Sequence, residues 1–171
     1  LSPVNALPLL WYRLQTERRQ SNGEWQVTST DTSDDALVTT LEGADIPFHR
    51  GDLNDVLARF ASAATRFPAD AYVRLTGDCP MIDPILIDSV ITGLETHRAD
   101  YASNVDPPTF PDGLDVEAFT AEALTKTLMH AKLPSEREHV TLWMRSKEAG
   151  FKRWSLSAPC DMSSIRLTVD Y

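Results

Sequence analysis

An aspartate stands directly after a run of strand-forming residues in Arg74-Leu75-Thr76-Gly77-Asp78-Cys79-Pro80. A carboxylate at the end of a buried strand, beside a glycine that lets a ligand approach the backbone, is a hard oxygen donor for a cation carrying substrate phosphates. Asp78 is therefore the first candidate metal ligand, and the competing reading of the same spacing is a cap for the turn before Pro80. Asp170 stands in the same relation to the strand expected over Ile165 to Val169 and is the second candidate, with an ordinary loop carboxylate as its competing reading.

Three further polar clusters have the right composition for binding. Ser29, Thr30 and Asp31 open a run of hydroxyls and carboxylates reaching Asp35, which suits hydrogen bonding to a base or ribose and suits a plain turn equally well. Asn104, Asp112, Asp115 and Glu117 bracket the Pro107-Pro108 segment, either lining a polar sugar pocket or decorating a solvated hairpin. Glu136, Arg137, Glu138 and His139 open an expected helix, where acids also favour the helix dipole for structural reasons. His49, His97, His130 and His139 stand at no mutual ligand spacing. The sequence contains no Walker A loop, dinucleotide fingerprint or Gly-x-Ser-x-Gly elbow.

The elements that must position these residues follow from periodicity and punctuation. Leu7, Leu10 and Leu14 have a helical period; Trp25 to Ser29 reads as a strand, and Ser33 is an expected N-cap for a short helix through Leu41. Ile46 to His49 is strand-like, and Asp52 to Phe67 is the clearest amphipathic helix. Ala71 to Leu75 is an expected buried strand, followed by a helix that Asp83 caps with Pro84 at its first position. Strands are expected over Asp100 to Val105, Leu114 to Phe119, Phe151 to Leu156 and Ile165 to Val169. Thr120 caps one helix, and a Ser135/Glu138 capping box opens another through Val140, Trp143 and Met144. Repeated strand-to-helix units predict an α/β three-layer sandwich around a mostly parallel central sheet. Ligands bind such sheets beyond the carboxyl ends of strands, which directs attention to the loops after Ser29, Leu75, Val105 and Val169.

Composition narrows the function classes. The 171 residues predict one domain over 1–171. Sixteen Lys and Arg against 25 Asp and Glu give a formal charge of -9, which repels a polyanion and argues against nucleic acid as partner. No apolar run approaches the ~20 residues needed to span a bilayer. Cys79 and Cys160 have no second cysteine at ligand spacing, so the expectation is no disulfide framework, no zinc site and a reducing cytoplasm.

Several ordered motifs together resemble the spore-coat polysaccharide cytidylyltransferase family, which is itself similar to the synthetases that join CMP to Kdo or neuraminic acid. They are Thr28-Ser29-Thr30-Asp31 with Ser33-Asp34-Asp35, Arg50-Gly51 with Asn54-Asp55-Val56-Leu57, and Arg74 through Asp83. Ser103-Asn104-Val105, Pro111-Asp112-Gly113-Leu114-Asp115-Val116-Glu117, Pro134 through Thr141 and Leu167-Thr168-Val169-Asp170-Tyr171 continue in the same order.

The resemblance implies a GT-A-like nucleotide-diphospho-sugar transferase fold, with Asp78 and Asp170 holding Mg²⁺ and Arg74 completing the catalytic set. It implies that Ser29, Thr30, Asp31, Thr76 and Gly77 face CTP. Asn104, Asp112, Gly113, Asp115, Glu117, Glu136, Arg137 and His139 would face a sugar or sugar-acid acceptor. The acceptor hydroxyl would attack the α-phosphorus in line, with Mg²⁺ neutralising the developing charge as pyrophosphate leaves. A homodimer is expected by family analogy.

Family members begin with a strand and a Gly- and Arg-containing phosphate loop and continue past the segment matching Tyr171 into a final helix, so a longer protein is expected. Two alternatives remain at this point. One is a GT-A glycosyltransferase, for which the single carboxylate of Asp78-Cys79-Pro80 departs from the usual Asp-x-Asp. The other is a non-catalytic homologue acting as a binding protein.

Overall fold

The computed structural model describes Gly23 and residues 25–169. The expected helix over Leu7, Leu10 and Leu14 and the residues Asp170 and Tyr171 lie outside these. The described residues form two compact units, one of Ala71–Ala123 and the segment from Gly150, the other of the described residues before Ala71 with Leu124–Ala149.

In the second of these units β1 (Gln26–Ser29) pairs in parallel with β2 (Phe48–Gly51), Gln26 opposite Phe48 and Ser29 opposite Gly51. Parallel neighbours need a crossover, supplied here by a 3₁₀ turn (Thr32–Asp34) and α1 (Asp35–Gly43). The expected Ser33 cap is corrected: Asp31 caps the turn by accepting from the Ser33 amide at 2.9 Å. Helix α2 (Val56–Arg66) starts later than Asp52 because the Asp52 carboxylate accepts from the amides of Asn54 and Asp55, both at 2.8 Å, and holds a turn there. Asp55 then caps α2 through the Ala58 amide at 2.9 Å, and Leu57 and Ala63 are buried.

The Thr120 cap forms, its hydroxyl accepting from the Ala123 amide at 3.1 Å at the start of α4 (Ala121–His130). The Ser135/Glu138 box is corrected. Helix α5 (Pro134–Glu138) opens instead on Glu136, whose carboxylate accepts from the Lys132 and Leu133 amides at 2.8 and 2.9 Å. The helix does not continue through Val140, which takes a φ of 50°; a 3₁₀ turn (Trp143–Arg145) follows. Val140 and Met144 are nevertheless fully buried, so the apolar period is satisfied by two short pieces joined through a left-handed residue.

The other unit holds a four-stranded sheet in the order β3 (Ala71–Arg74), β5 (Glu117–Thr120), β4 (Tyr101–Ser103), β6 (Arg153–Ser155). Strand β5 is antiparallel to both neighbours, and β6 is parallel to β4. Of the four pairings among the described residues two are parallel and two antiparallel, so the expectation of a mostly parallel sheet does not describe them. The segment from Asn104 to Val116 contains no helix and returns the chain beside β4, which makes β5 antiparallel.

Helix α3 (Pro84–Thr96), capped by Asp83 through the Ile85 amide at 2.8 Å, covers one face of this sheet. Ile87, Val90 and Leu94 meet Ala102, Val116 and Ala118 in its core, with Trp154 packed against them. Gly93 lets the Trp154 ring lie against the helix, since a Cβ there would stand 2.1 Å from ring carbons. The expected strand over Ile165 to Val169 is corrected to one isolated bridge, Asp112 with Arg166. The partner chain turns away at Gly113, whose φ is 101° and whose added Cβ would meet the Leu167 carbonyl carbon at 2.8 Å.

Candidate functional site

Strand register builds the site. Arg74 on β3 and Ser103 on β4 both stand opposite Glu117 on β5, and cross-strand partners share a face. Tyr101 lies two residues before Ser103 and shares it too. This face is opposite the one carrying Val73, Ala102 and Ala118 toward α3. On it, Arg74 Nη1 donates to Glu117 Oε2 at 2.6 Å and Tyr101 Oη donates to Glu117 Oε1 at 2.6 Å. Glu117 is 4% exposed, so its charge depends on this pairing. The Ser103 hydroxyl is buried without a partner among the described residues.

The turn after β3 follows. Thr76 carbonyl accepts from the Cys79 amide at 3.2 Å, and the Thr76 hydroxyl lies 3.1 Å from the Cys79 sulfur. Gly77 and Asp78 form the turn itself. The Asp78 carbonyl accepts from the Val169 amide at 3.0 Å, while among the described residues its carboxylate meets only the Cys79 thiol, at 3.6 Å. That carboxylate remains available to a cation. Burial pushes the Cys79 thiol up to about 11, with the charges of Asp78 and Asp115 adding to the rise, so it is a packing group and not a nucleophile.

The loop before β5 brings Asp115 in. Asn104 holds it from both sides: its amide Nδ2 donates to the Leu114 carbonyl at 2.7 Å and its Oδ1 accepts from the Val116 amide at 2.8 Å. Asn104 is 2% exposed, with both ends committed to the backbone around Asp115. Burial, with the charges of Asp112, Glu117 and Asp78, raises Asp115 to about 6, and Arg74 partly offsets the rise. Asp112 is exposed, 3.9 Å from the Arg166 guanidinium, and Gly113 makes the turn described above.

The remaining expected residues lie in the other unit. The Ser29 hydroxyl donates to Asp34 at 2.7 Å and accepts from the Asp31 amide at 3.2 Å. Burial disfavours the charge of Asp34, but the Ser29 hydroxyl, the Thr28 hydroxyl at 2.5 Å and the Ser29 amide at 2.8 Å outweigh it, and the net shift is downward. Arg50 ties the same loop through the Ser29 and Asp31 carbonyls at 2.7 and 2.9 Å. Thr30 and Asp31 are the exposed members, presented on a fixed backbone. Arg137 pairs with Asp55 and donates to the Leu128 carbonyl at 3.2 Å, Glu136 is the cap of α5, and His139 is exposed.

One residue that sequence reasoning passed over, Tyr101, is thus part of the site's frame. Tyr101 shares its strand parity with Ser103, and period-two alternation alone would have placed it facing Glu117. The metal expectation fits in part. Among the described residues no group of three or more His, Cys, Asp or Glu forms a cage. Mg²⁺, however, is commonly held by one or two carboxylates together with water and phosphate oxygens, and the free Asp78 carboxylate suits that role.

The cytidylyltransferase family profile matches residues 1–167. The chain belongs to the cytidylyltransferase family. Within it, the chain is 34% identical over 145 residues to an uncharacterised protein of Methanocaldococcus jannaschii, covering 84% of this chain and 58% of that protein. It is 30% identical over 146 residues to a spore coat polysaccharide biosynthesis protein of Bacillus subtilis, covering 84% of this chain and 60% of that one. The solved structure of a cytidylyltransferase from Leptospira borgpetersenii superposes with a TM-score of 0.81 at 32% identity, covering 86% of this chain and 63% of that chain. This cytidylyltransferase-family chain therefore spans about three fifths of these relatives' length, and it shares their α/β fold.

Proposed function

We propose that this chain carries the transfer of CMP from CTP to a hydroxyl of a sugar or sugar acid, with Mg²⁺, in the cytoplasmic assembly of a surface or spore-coat polysaccharide. The observation that carries the reading is the pair of uncommitted carboxylates, Asp78 and Asp115, drawn together with Arg74 where β3 ends and β5 begins, in a chain of this family.

Asp78 would hold Mg²⁺, together with Asp170 in the sequence, and the bound ion would offset negative charge on the phosphates. Asp115, half-buried, would accept the proton of the acceptor hydroxyl as that oxygen bonds to the α-phosphorus. The bond from the α-phosphorus to the bridging oxygen breaks and pyrophosphate departs. Thr76 and Gly77 would supply backbone and polar groups toward the nucleotide. Asp112 is the exposed candidate toward the acceptor, whereas Asn104, Glu136 and Arg137 act by holding their own loops. A homodimer belongs to the same proposal on family grounds.

The test is pyrophosphate release by the full-length encoded protein with Mg²⁺, each of four nucleoside triphosphates, and a panel of sugar acids and sugar phosphates. Release requiring both CTP and one acceptor is the expected result. Activity with a nucleotide sugar in place of CTP would transfer the reading to a glycosyltransferase, and silence with no nucleotide bound would leave a non-catalytic binding protein.

A further inference from the structure

Glu117 stood among the expected acceptor ligands, yet both of its carboxylate oxygens are occupied from within the sheet, one by Arg74 and one by the Tyr101 hydroxyl. Among the described residues, Arg74, by contrast, is held at one nitrogen. Nη1 makes its hydrogen bond, and the side chain is 21% exposed at the end of β3. A guanidinium carries five N–H donors in a fixed fork, so fixing one edge leaves the rest oriented for a second oxygen-rich group. Arg74 also lies close enough to Asp115 to act on its charge, but it bonds Glu117 and not Asp115. Glu117 thereby keeps the guanidinium from collapsing onto the carboxylate that the reaction needs free.

We propose that Glu117, braced by Tyr101, is a positioning residue for Arg74, and that Arg74 so held takes an oxyanion of the substrate. The inference rests on the cytidylyl transfer reading for the identity of that substrate. Arg74 acts on Asp115 in company with the negative charges of Asp112, Glu117 and Asp78, so an anion bound there would arrive with a divalent cation. The shared ligand chemistry is a phosphate or carboxylate accompanied by Mg²⁺, from either the triphosphate or an acidic acceptor.

The test uses full-length protein and titration calorimetry with magnesium pyrophosphate, Mg-CTP, cytidine and a sugar acid. Arg74→Gln should weaken magnesium pyrophosphate binding by about 10- to 100-fold, as expected for loss of a charge-assisted contact. Glu117→Gln should weaken it about 10-fold, and Tyr101→Phe by a few fold. Combined with Arg74→Gln, either change should add less than about twofold, because both act through the guanidinium.

Glu117→Asp, which keeps the charge, should restore part of the affinity. If Glu117→Gln does not fold, Tyr101→Phe and its combination with Arg74→Gln carry the same comparison. Loss of Mg-CTP binding with cytidine binding intact places the oxyanion on the triphosphate; loss of sugar-acid binding alone places it on the acceptor.

Effects that multiply in the double variants, or wild-type protein that binds none of the anionic probes, overturn the proposal. Wild-type protein that binds magnesium pyrophosphate through Arg74 but transfers no CMP leaves this inference standing and defeats the transferase reading instead.

Discussion

The Asn104 clamp gives a prediction whose size follows from the structure. Replacing Asn104 with Ala removes the acceptor of the Val116 amide and the donor to the Leu114 carbonyl, at 2.8 and 2.7 Å. Val116 is fully buried, so its amide cannot recover a water partner and should cost about 1–3 kcal/mol. The half-buried Leu114 carbonyl can recover part of its bond, which adds about 0.5–1 kcal/mol. Asn104→Ala should therefore destabilise by about 1.5–4 kcal/mol, read as a lower urea midpoint at unchanged slope.

The same change frees Asp115, the residue between the two clamped positions. Turnover per folded molecule should fall at least about tenfold, because displacement of a reacting group by about an ångström costs that much or more. Leu in place of Asn should lose a similar amount of turnover while recovering some packing. A stability change below about 0.5 kcal/mol, with turnover preserved, would refute the argument that Asn104 fixes the Asp115 backbone.

Other expectations are more direct. Asp78→Asn should abolish Mg²⁺-dependent turnover with little change in the unfolding midpoint, since its carboxylate bonds only a weak thiol donor. Asp115→Asn should make the protein more stable above pH 6 and leave stability unchanged near pH 4. The folded pKa of about 6 lies above the unfolded value, so folding favours the protonated acid and stability is lost as pH rises through that window.

Asp34 works with the opposite sign. Its lowered pKa contributes stability above the unfolded value near 4 that is lost on further acidification, and Asp34→Asn should flatten that acid limb of a pH titration of stability. Gly93→Ala should destabilise by about 1–3 kcal/mol despite the better helix propensity of Ala, and Trp154→Ala in the same chain should reverse the sign of the Gly93 effect.

Much of this organisation was legible where local chemistry decides it. Asp83-Pro84 and Thr120 cap the helices their sequence positions predict, and the Arg74 to Pro80 segment is a strand ending in a turn that exposes a carboxylate. What failed to read out depended on partners distant in sequence. Ile165 to Val169 has strand-forming residues, but the chain opposite turns at Gly113 and leaves room for one bridge. The helix through Val140 was a sound period interrupted by a left-handed residue.

The site divided in the same way. Residue types nominated the polar candidates, whereas tertiary bonds show which of them already have partners. Asn104, Glu117 and Arg137 are polar residues of the kind that bind sugars, and each is committed to Leu114 and Val116, to Arg74 and Tyr101, or to Asp55 and Leu128. No spacing rule distinguishes a polar group that waits for ligand from one that already has its partner.

The unequal cysteines have a practical consequence. Cys79 is 3% exposed and its thiol stays protonated far above neutral pH, whereas Cys160 is exposed and unbonded to any other cysteine. A maleimide dye at neutral pH should therefore attach to the native protein at one position only among the two, and the second should react as the chain unfolds. Native and denatured molecules would carry one and two labels, giving a mass-spectrometric count of unfolding that needs no engineered residue and touches none of the carboxylates of the proposed reaction.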